Sequence, residues 1–328
     1  GEGPYHEKGK FFIYNWLSSQ KLQVALEPFL KETNQFPDIF LTYQQRYFAI
    51  EYQCARLDFN LIYQRHMGYL EQDIIPIWIL GANQFNRLGR NYLHVNGFIQ
   101  QFIHQFAAHL PLSLYFFCPE TLQLVTFKDL YFTRSQTAIG SFQFRKLYEL
   151  RFRDLFISHE LPKTVLYRLW EKEKQKFRML SRPFINNKER EWQQWLYSKN
   201  IPIQHLPSLV YLPVPSQYLM KSSLWDWQSR IVLDLFQPLK VGSLFHRKRC
   251  NLLLKDHVYS TDVFPLISKP QNPIDDYLHL LEQLRVIERV SSHEYRKIET
   301  IQFPMHIEEA MIHDQLVLKQ LKNSKIQT

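Results

Sequence analysis

Tyr47-Phe-Ala-Ile-Glu-Tyr-Gln-Cys54, preceded by Pro37-Asp-Ile-Phe-Leu41 and followed by Ile74-Ile-Pro-Ile-Trp-Ile-Leu80, decides the fold. Ile39 to Leu41 is a short apolar strand, Tyr43 to Arg46 a polar turn, and Tyr47 to Cys54 a second strand. Asp58 to Gln72 then reads as a helix, with Asp58 as its N-cap. The near-continuous apolar run of residues 74–80, closed by Gly81, suits a central strand buried on both faces, with Trp78 in the core. Upstream, His6 to Ser19 reads as a helix, because Phe12, Ile13, Trp16 and Leu17 recur at helical spacing. Leu22 to Leu26 alternates like a half-buried strand, and Lys31 to Gln35 is a polar turn. The order is helix, three strands, helix, strand. A hairpin-rich opening followed by a helical crossover gives a mixed α/β sheet. Further on, the spacing of Phe98, Phe102, Ile103 and Phe106 predicts a helix over about 96–109. A hairpin is predicted around Cys118-Pro-Glu-Thr121.

Chemistry concentrates in the same 80 residues. Glu51 and Gln53 are two apart on a strand and share a face. If the two strands form a hairpin, Asp38 approaches Glu51. Two carboxylates converging at a strand end make a ready Mg²⁺ or Mn²⁺ site, because such ions take a few carboxylates plus waters, and water is what a hydrolase needs.

This arrangement resembles the PD-(D/E)xK nuclease pattern on a restriction-endonuclease-like core, with Gln53 where that pattern usually has Lys. Gln orients water by hydrogen bonds but adds no charge. Glu2, His6 and Lys10, then Tyr14-x-Trp16-Leu17, Glu27, Pro37-Asp38, Ala49-Ile-Glu-Tyr-Gln-Cys54, Arg65-x-x-x-Tyr69 and Pro76-Ile-Trp-Ile-Leu80 resemble the competence protein CoiA-like family. The likeness is strong over about residues 2–110 and looser beyond. It implies a nuclease-like protein acting in recombination of incoming DNA during natural transformation. Asp38 and Glu51 match the metal ligands, and Gln53 matches the catalytic lysine position. Glu2, His6 and Lys10 match the helix motif before the sheet and, four residues apart, share a helix face. Lys10 would then supply the charge missing at Gln53, and His6 would orient water. Glu27, near the end of the first strand, is a candidate third acidic ligand. Arg65 and Tyr69, one turn apart, read as bracing the sheet. Members of the family also carry an N-terminal Cys-rich zinc module. This chain lacks it, so zinc is not expected here.

The 328 residues suggest two domains or one with extensions, and 45% apolar content excludes wholesale disorder. Three scattered cysteines (Cys54, Cys118 and Cys250) argue against disulfides and for a cytoplasmic protein with reduced thiols. No segment reads as a transmembrane helix, so no membrane partner is expected. The absence of an initiator Met fits a piece of a longer protein. A P-loop and a nucleophile elbow are both missing, which leaves ATP hydrolysis and serine hydrolase chemistry unsupported.

A net charge of +9 points to an anionic partner, first of all nucleic acid. Most of that excess lies in residues 145–190, where Lys163 to Leu180 is helical in pattern. Lys163, Arg168, Lys172 and Lys176 on this helix, with Arg247, Lys248 and Arg249 further on, are the candidate DNA-binding residues. Helix candidates at 223–236 and 277–289, then strands at 286–290 and 295–298, resemble a winged-helix domain. One more helix covers the tail. The expected division is a nuclease-like domain over 1–150, a basic helical region over 151–215 and a winged-helix-like domain over 216–328.

The functional expectation is a metal-dependent DNA endonuclease that processes branched or single-stranded recombination intermediates. Branched substrates favour a homodimer. The alternatives are a catalytically inactive DNA-binding recombination mediator and a scaffold that recruits a recombinase.

Overall fold

The computed structural model describes residues 3–179 and 186–325. Glu2 and Leu180, the last residue of the expected basic helix, lie outside them. The chain forms two compact units. One holds residues up to 130, 136–161 and 261–270; the other holds 131–135, 162–260 and 271 onward. The expected middle region therefore divides, 151–161 in the first unit and 162–215 in the second.

The first unit opens with α1 (Pro4–Ser18), which has Pro at its first turn, where the missing N–H costs nothing. Next come β1 (Gln23–Leu26), β2 (Ile39–Tyr43), β3 (Arg46–Gln53), α2 (Phe59–Leu70) and β4 (Ile74–Gly81). The remaining elements are β5 (Tyr92–His94), the short α3 (Gly97–Gln100), β6 (Ser113–Cys118), β7 (Gln123–Arg134) and β8 (Thr137–Lys146). The eight strands form one sheet in the order β1-β2-β3-β4-β6-β7-β8-β5. β1, β2 and β3 are antiparallel, whereas β3–β4 and β4–β6 are parallel, so the sheet is mixed as expected. Asp58 caps α2 by accepting from the Asn60 N–H at 2.9 Å. Trp78 is fully buried in β4. The β2–β3 turn puts Gln44 and Gln45 at φ 48° and 63°, the left-handed pair that matches strand twist in a two-residue hairpin.

The helix predicted over 96–109 is a correction: only Gly97–Gln100 is helical. His104 exchanges two backbone hydrogen bonds with Ser113, and the Gln105 N–H donates to the Leu266 carbonyl. These sheet-like bonds take the amides a helix would need. Phe102 and Ile103 are buried by the elements around them, not by one helical stripe. The sequence reading also missed β5 and β8.

The second unit contains α4 (Lys163–Met179), α5 (Asn187–Ser198), α6 (Leu224–Arg230, continued as a π-helical segment through Phe236) and β9 (Leu244–His246). It continues with α7 (Lys248–Leu253), α8 (Pro273–Gln283), β10 (Ile287–Arg289), β11 (Glu294–Lys297) and α9 (Ile307–Asn323). From α6 onward the succession helix, strand, helix, helix, strand, strand is a winged-helix order. The wing has a third strand that the sequence reading missed, since β9 pairs with β11.

Candidate active site

β3 alternates its side chains between two helices. Ile50 and Tyr52 face α1, while Glu51 faces α2, where Tyr69 is buried. The register Ile39↔Ile50 places Asp38 opposite Glu51, one residue before β2 begins. The approach of the two carboxylates expected from the hairpin therefore occurs at this end of the strands.

Asp38 is buried, and its Oδ2 accepts the Tyr52 backbone N–H at 2.7 Å. His6 comes from α1 on the other side, with Nε2 3.6 Å from the same oxygen and its ring stacked on Tyr52 at 5.6 Å. Gly9 permits this approach: a Cβ there would lie 2.1 Å from the Tyr52 ring. Lys10, one turn beyond His6, is 2% exposed and holds Glu27 at 2.6 Å and Glu7 at 2.9 Å. Glu27 adopts a left-handed φ of 46°, and its N–H donates to the Asp38 carbonyl at 3.0 Å, which ties the end of β1 to this corner.

Glu51 is 1% exposed. Arg65 Nη2 lies 2.8 Å from its Oε1, and the Tyr69 hydroxyl donates to that same oxygen. Desolvation, reinforced by the nearby Asp38 charge, pushes the Glu51 carboxyl up to about 8, against the opposing pull of Arg65 and Tyr69. Arg65 also donates to the Phe36 carbonyl at 3.0 Å and lies 5.7 Å from the centre of the Trp78 ring.

The structure thus brings Asp38, Glu51 and His6 together. It turns the Gln53 amide to the Ala55 carbonyl and ties both Lys10 and Glu27 into an ion pair. Among the described residues no cluster of three or more His, Cys, Asp or Glu side chains is gathered to hold a metal. Two adjacent carboxylates still suit Mg²⁺ or Mn²⁺, which complete their shells with water.

Arg65 and Tyr69, read from the sequence as bracing the sheet, are the partners of Glu51. Both grip Oε1 of Glu51. Their i,i+4 spacing on α2 was the available signal. Partners that orient a metal-ligating carboxylate typically change metal affinity about 10–100-fold when removed. Tyr69→Phe is therefore expected to weaken Mn²⁺ binding by about tenfold, and Arg65→Ala by about 10–100-fold, in calorimetric titration. Unchanged affinity in both variants would make them mere braces of the sheet.

The candidate DNA-binding residues lie in the second unit. Arg168, Lys172 and Lys176 are exposed at four-residue spacing and form one cationic stripe along α4. Lys163 is half-buried and donates to the Ser324 carbonyl. Arg247 is 2.7 Å from Asp275, whereas Lys248 and Arg249 are exposed at the start of α7. α8 carries Asp275, Asp276 and Glu282 and no Lys or Arg, so its charge does not favour a DNA groove.

A mixed sheet with paired carboxylates at one end defines a nuclease-like domain. The family model described as the nuclease-like domain of competence protein CoiA matches residues 2–160, and the one described as its C-terminal domain matches 165–311. The chain belongs to the competence protein CoiA family. It is 29% identical over 233 residues to competence protein CoiA of Bacillus subtilis (strain 168), a match covering 71% of this chain and 61% of that protein. The matched segment thus spans about three fifths of the relative's length. No solved structure matches the chain significantly. No helix among the described residues is long and apolar enough to cross a membrane.

Proposed function

We propose that the chain is a Mg²⁺- or Mn²⁺-dependent DNA endonuclease that processes branched or single-stranded recombination intermediates during natural transformation. The observation that carries this reading is the juxtaposition of Asp38 and Glu51 at one end of β2 and β3, with His6 3.6 Å from Asp38. Asp38 and Glu51 would hold the ion, which when bound supplies Lewis acidity and lowers the pKa of water. Asp38 is fixed by the Tyr52 N–H, so its carboxylate needs little reorganisation. Glu51 is fixed by Arg65 and Tyr69. His6 would hold or move a proton at Nε2, beside Asp38. Lys10 keeps positive charge beneath the corner while fixing Glu27. Gln53, at the mouth of the strand, would orient water once its amide leaves the Ala55 carbonyl. DNA and the recombination machinery would be its partners, in the cytoplasm, and a homodimer would place two sites on a branched substrate.

The alternative is a DNA-binding mediator that does not cut. It is favoured by Gln53, which adds no charge and is turned to Ala55. The two readings separate on a panel of labelled DNAs (single-stranded, duplex, flap, displacement loop and four-way junction) incubated with Mg²⁺, Mn²⁺ or EDTA. Metal-dependent cutting is expected, with a loss of at least about a thousandfold in Asp38→Ala, since a metal's charge stabilisation is worth several kcal/mol. Salt-sensitive binding without cutting, in this chain and in a full-length relative, would favour the mediator.

A further inference from the structure

We propose that a groove on the first unit, along the C-terminal half of α1, is a track for single-stranded DNA. This deepens the nuclease reading and rests on it for the choice of polymer. The groove encloses about 770 Å³ between α1, the end of β2 and residues 147–153. Its lining includes Lys21, Arg151 and Arg153 and no Asp or Glu. The neighbouring acids are engaged elsewhere. Glu149 pairs with Arg145 at 3.3 Å, and the Asp154 carboxylate accepts the Arg151 backbone N–H at 2.7 Å. All three lining cations are exposed, and among the described residues none of them forms an ion pair.

Charge alone would suit any polyanion. The aromatic groups narrow the choice. Tyr148 lies on the rim and is 71% exposed, so its ring is open to solvent. Phe12 and Tyr43 line the same groove and are half-buried. A cationic groove with accessible rings is how proteins hold unpaired bases. The cations follow the backbone and the rings stack on bases, whose faces a duplex hides. His6 lies on the same helix, about 13 Å along its axis from Asn15, which lines the groove. A strand in the groove would thus run along the flank of the helix that carries part of the candidate site.

The test uses the whole chain in EDTA, so that nothing is cut, and reads fluorescence anisotropy of a labelled thirty-nucleotide poly(dT) across a salt series. Wild type should bind with a log–log salt slope that includes about −2 from these three cations, at roughly −0.7 for each phosphate on a single strand. The triple variant Lys21→Glu/Arg151→Glu/Arg153→Glu should bind at least tenfold more weakly, with that part of the slope gone. Tyr148→Ala should lose about 5- to 100-fold on poly(dT) with its slope unchanged, and much less on duplex DNA. Thermal melts confirm that the variants are folded. Tyr148 is 71% exposed, so Tyr148→Ala carries the test if the triple variant does not fold.

Wild-type affinity in the triple variant and in Tyr148→Ala would overturn the proposal. So would a loss seen only on reversing Arg168, Lys172 and Lys176, or equal competition by poly-glutamate. A parallel cutting assay with Mn²⁺ separates the two readings. Groove-dependent binding without cutting removes the nuclease and keeps the track; cutting with groove-independent binding does the opposite.

Discussion

Glu51→Gln will abolish metal-dependent cutting and, in the metal-free protein, raise stability in alkaline solution. The two effects have one cause. Glu51 is a carboxyl buried to 1% exposure beside a second carboxylate, where its ionised form is disfavoured. Its folded value is raised to about 8 from an ordinary 4.5. Between those values the folded state binds more protons than the unfolded state, so stability falls as pH rises through this window. The full difference corresponds to roughly 4–5 kcal/mol, all of it lost above pH 8. Gln never ionises and can still accept from Tyr69, but it leaves the Arg65 charge without its carboxylate. Allowing for that loss, Glu51→Gln should gain about 2–4 kcal/mol at pH 9 and little near pH 5. In thermal melts at pH 9 that is an increase of about 5–10 °C for a unit of this size. Cutting in Mn²⁺ should fall by at least about a thousandfold. An unchanged melt at pH 9 would mean that Arg65 fully compensates the buried charge, so that the Glu51 carboxyl is not raised in the folded protein. Persistent cutting would remove Glu51 from the site.

Such a trade between stability and site is legible in sequence only where local pattern governs. The β2–β3 hairpin, α2 and β4 were readable because strict spacing, the Asp58 cap and an uninterrupted apolar run all pointed to one answer. From the hairpin alone, the meeting of Asp38 with Glu51 followed. The grip of Arg65 and Tyr69 on Glu51 did not, because it depends on how α2 packs across β3 and β4. The apolar spacing at 96–109 misled for a related reason. Phe102 and Ile103 are enclosed by neighbouring elements, so their spacing carries no single helical face. Lys10 and Glu27 were both read as site residues, and the fold satisfies each with the other. Sequence shows which groups carry charge, and tertiary packing decides how much of that charge is already neutralised.

The same limit applies to the basic helix. It was read as a cationic face, yet two of its cations turn inward. Lys174 and Arg178 are 1% and 3% exposed, and Asp314 on α9 meets both. Arg178 binds it through Nε at 2.7 Å and Nη2 at 2.9 Å, while Lys174 Nζ is 3.3 Å away. The two cations also serve the backbone. Lys174 donates to the Ser208 and Val210 carbonyls, and Arg178 Nη1 to the Leu206 carbonyl at 3.0 Å. Asp314 is thus the counter-charge that lets two buried cations organise residues 206–210. Burial already lowers Lys174 to about 8, against the pull of Asp314. Without Asp314 that cation would be driven further toward its neutral form, and Arg178 cannot follow, because guanidinium stays charged. Asp314→Ala is therefore expected to cost the second unit about 3–5 kcal/mol at pH 7, the usual penalty for leaving a buried charge unpaired. Urea unfolding followed by tryptophan emission reads this unit well, since Trp170, Trp192 and Trp227 are all fully buried in it. The wild-type Lys174 binds fewer protons folded than unfolded between pH 8 and 10.5, so it stabilises progressively as pH rises through that window. In the variant its folded pKa falls further, so part of the loss should be recovered as pH is raised from 7 toward 10. A loss under about 1 kcal/mol at pH 7 would mean that water enters the pocket and solvates the cations, a surface-like outcome inconsistent with the burial of all three side chains.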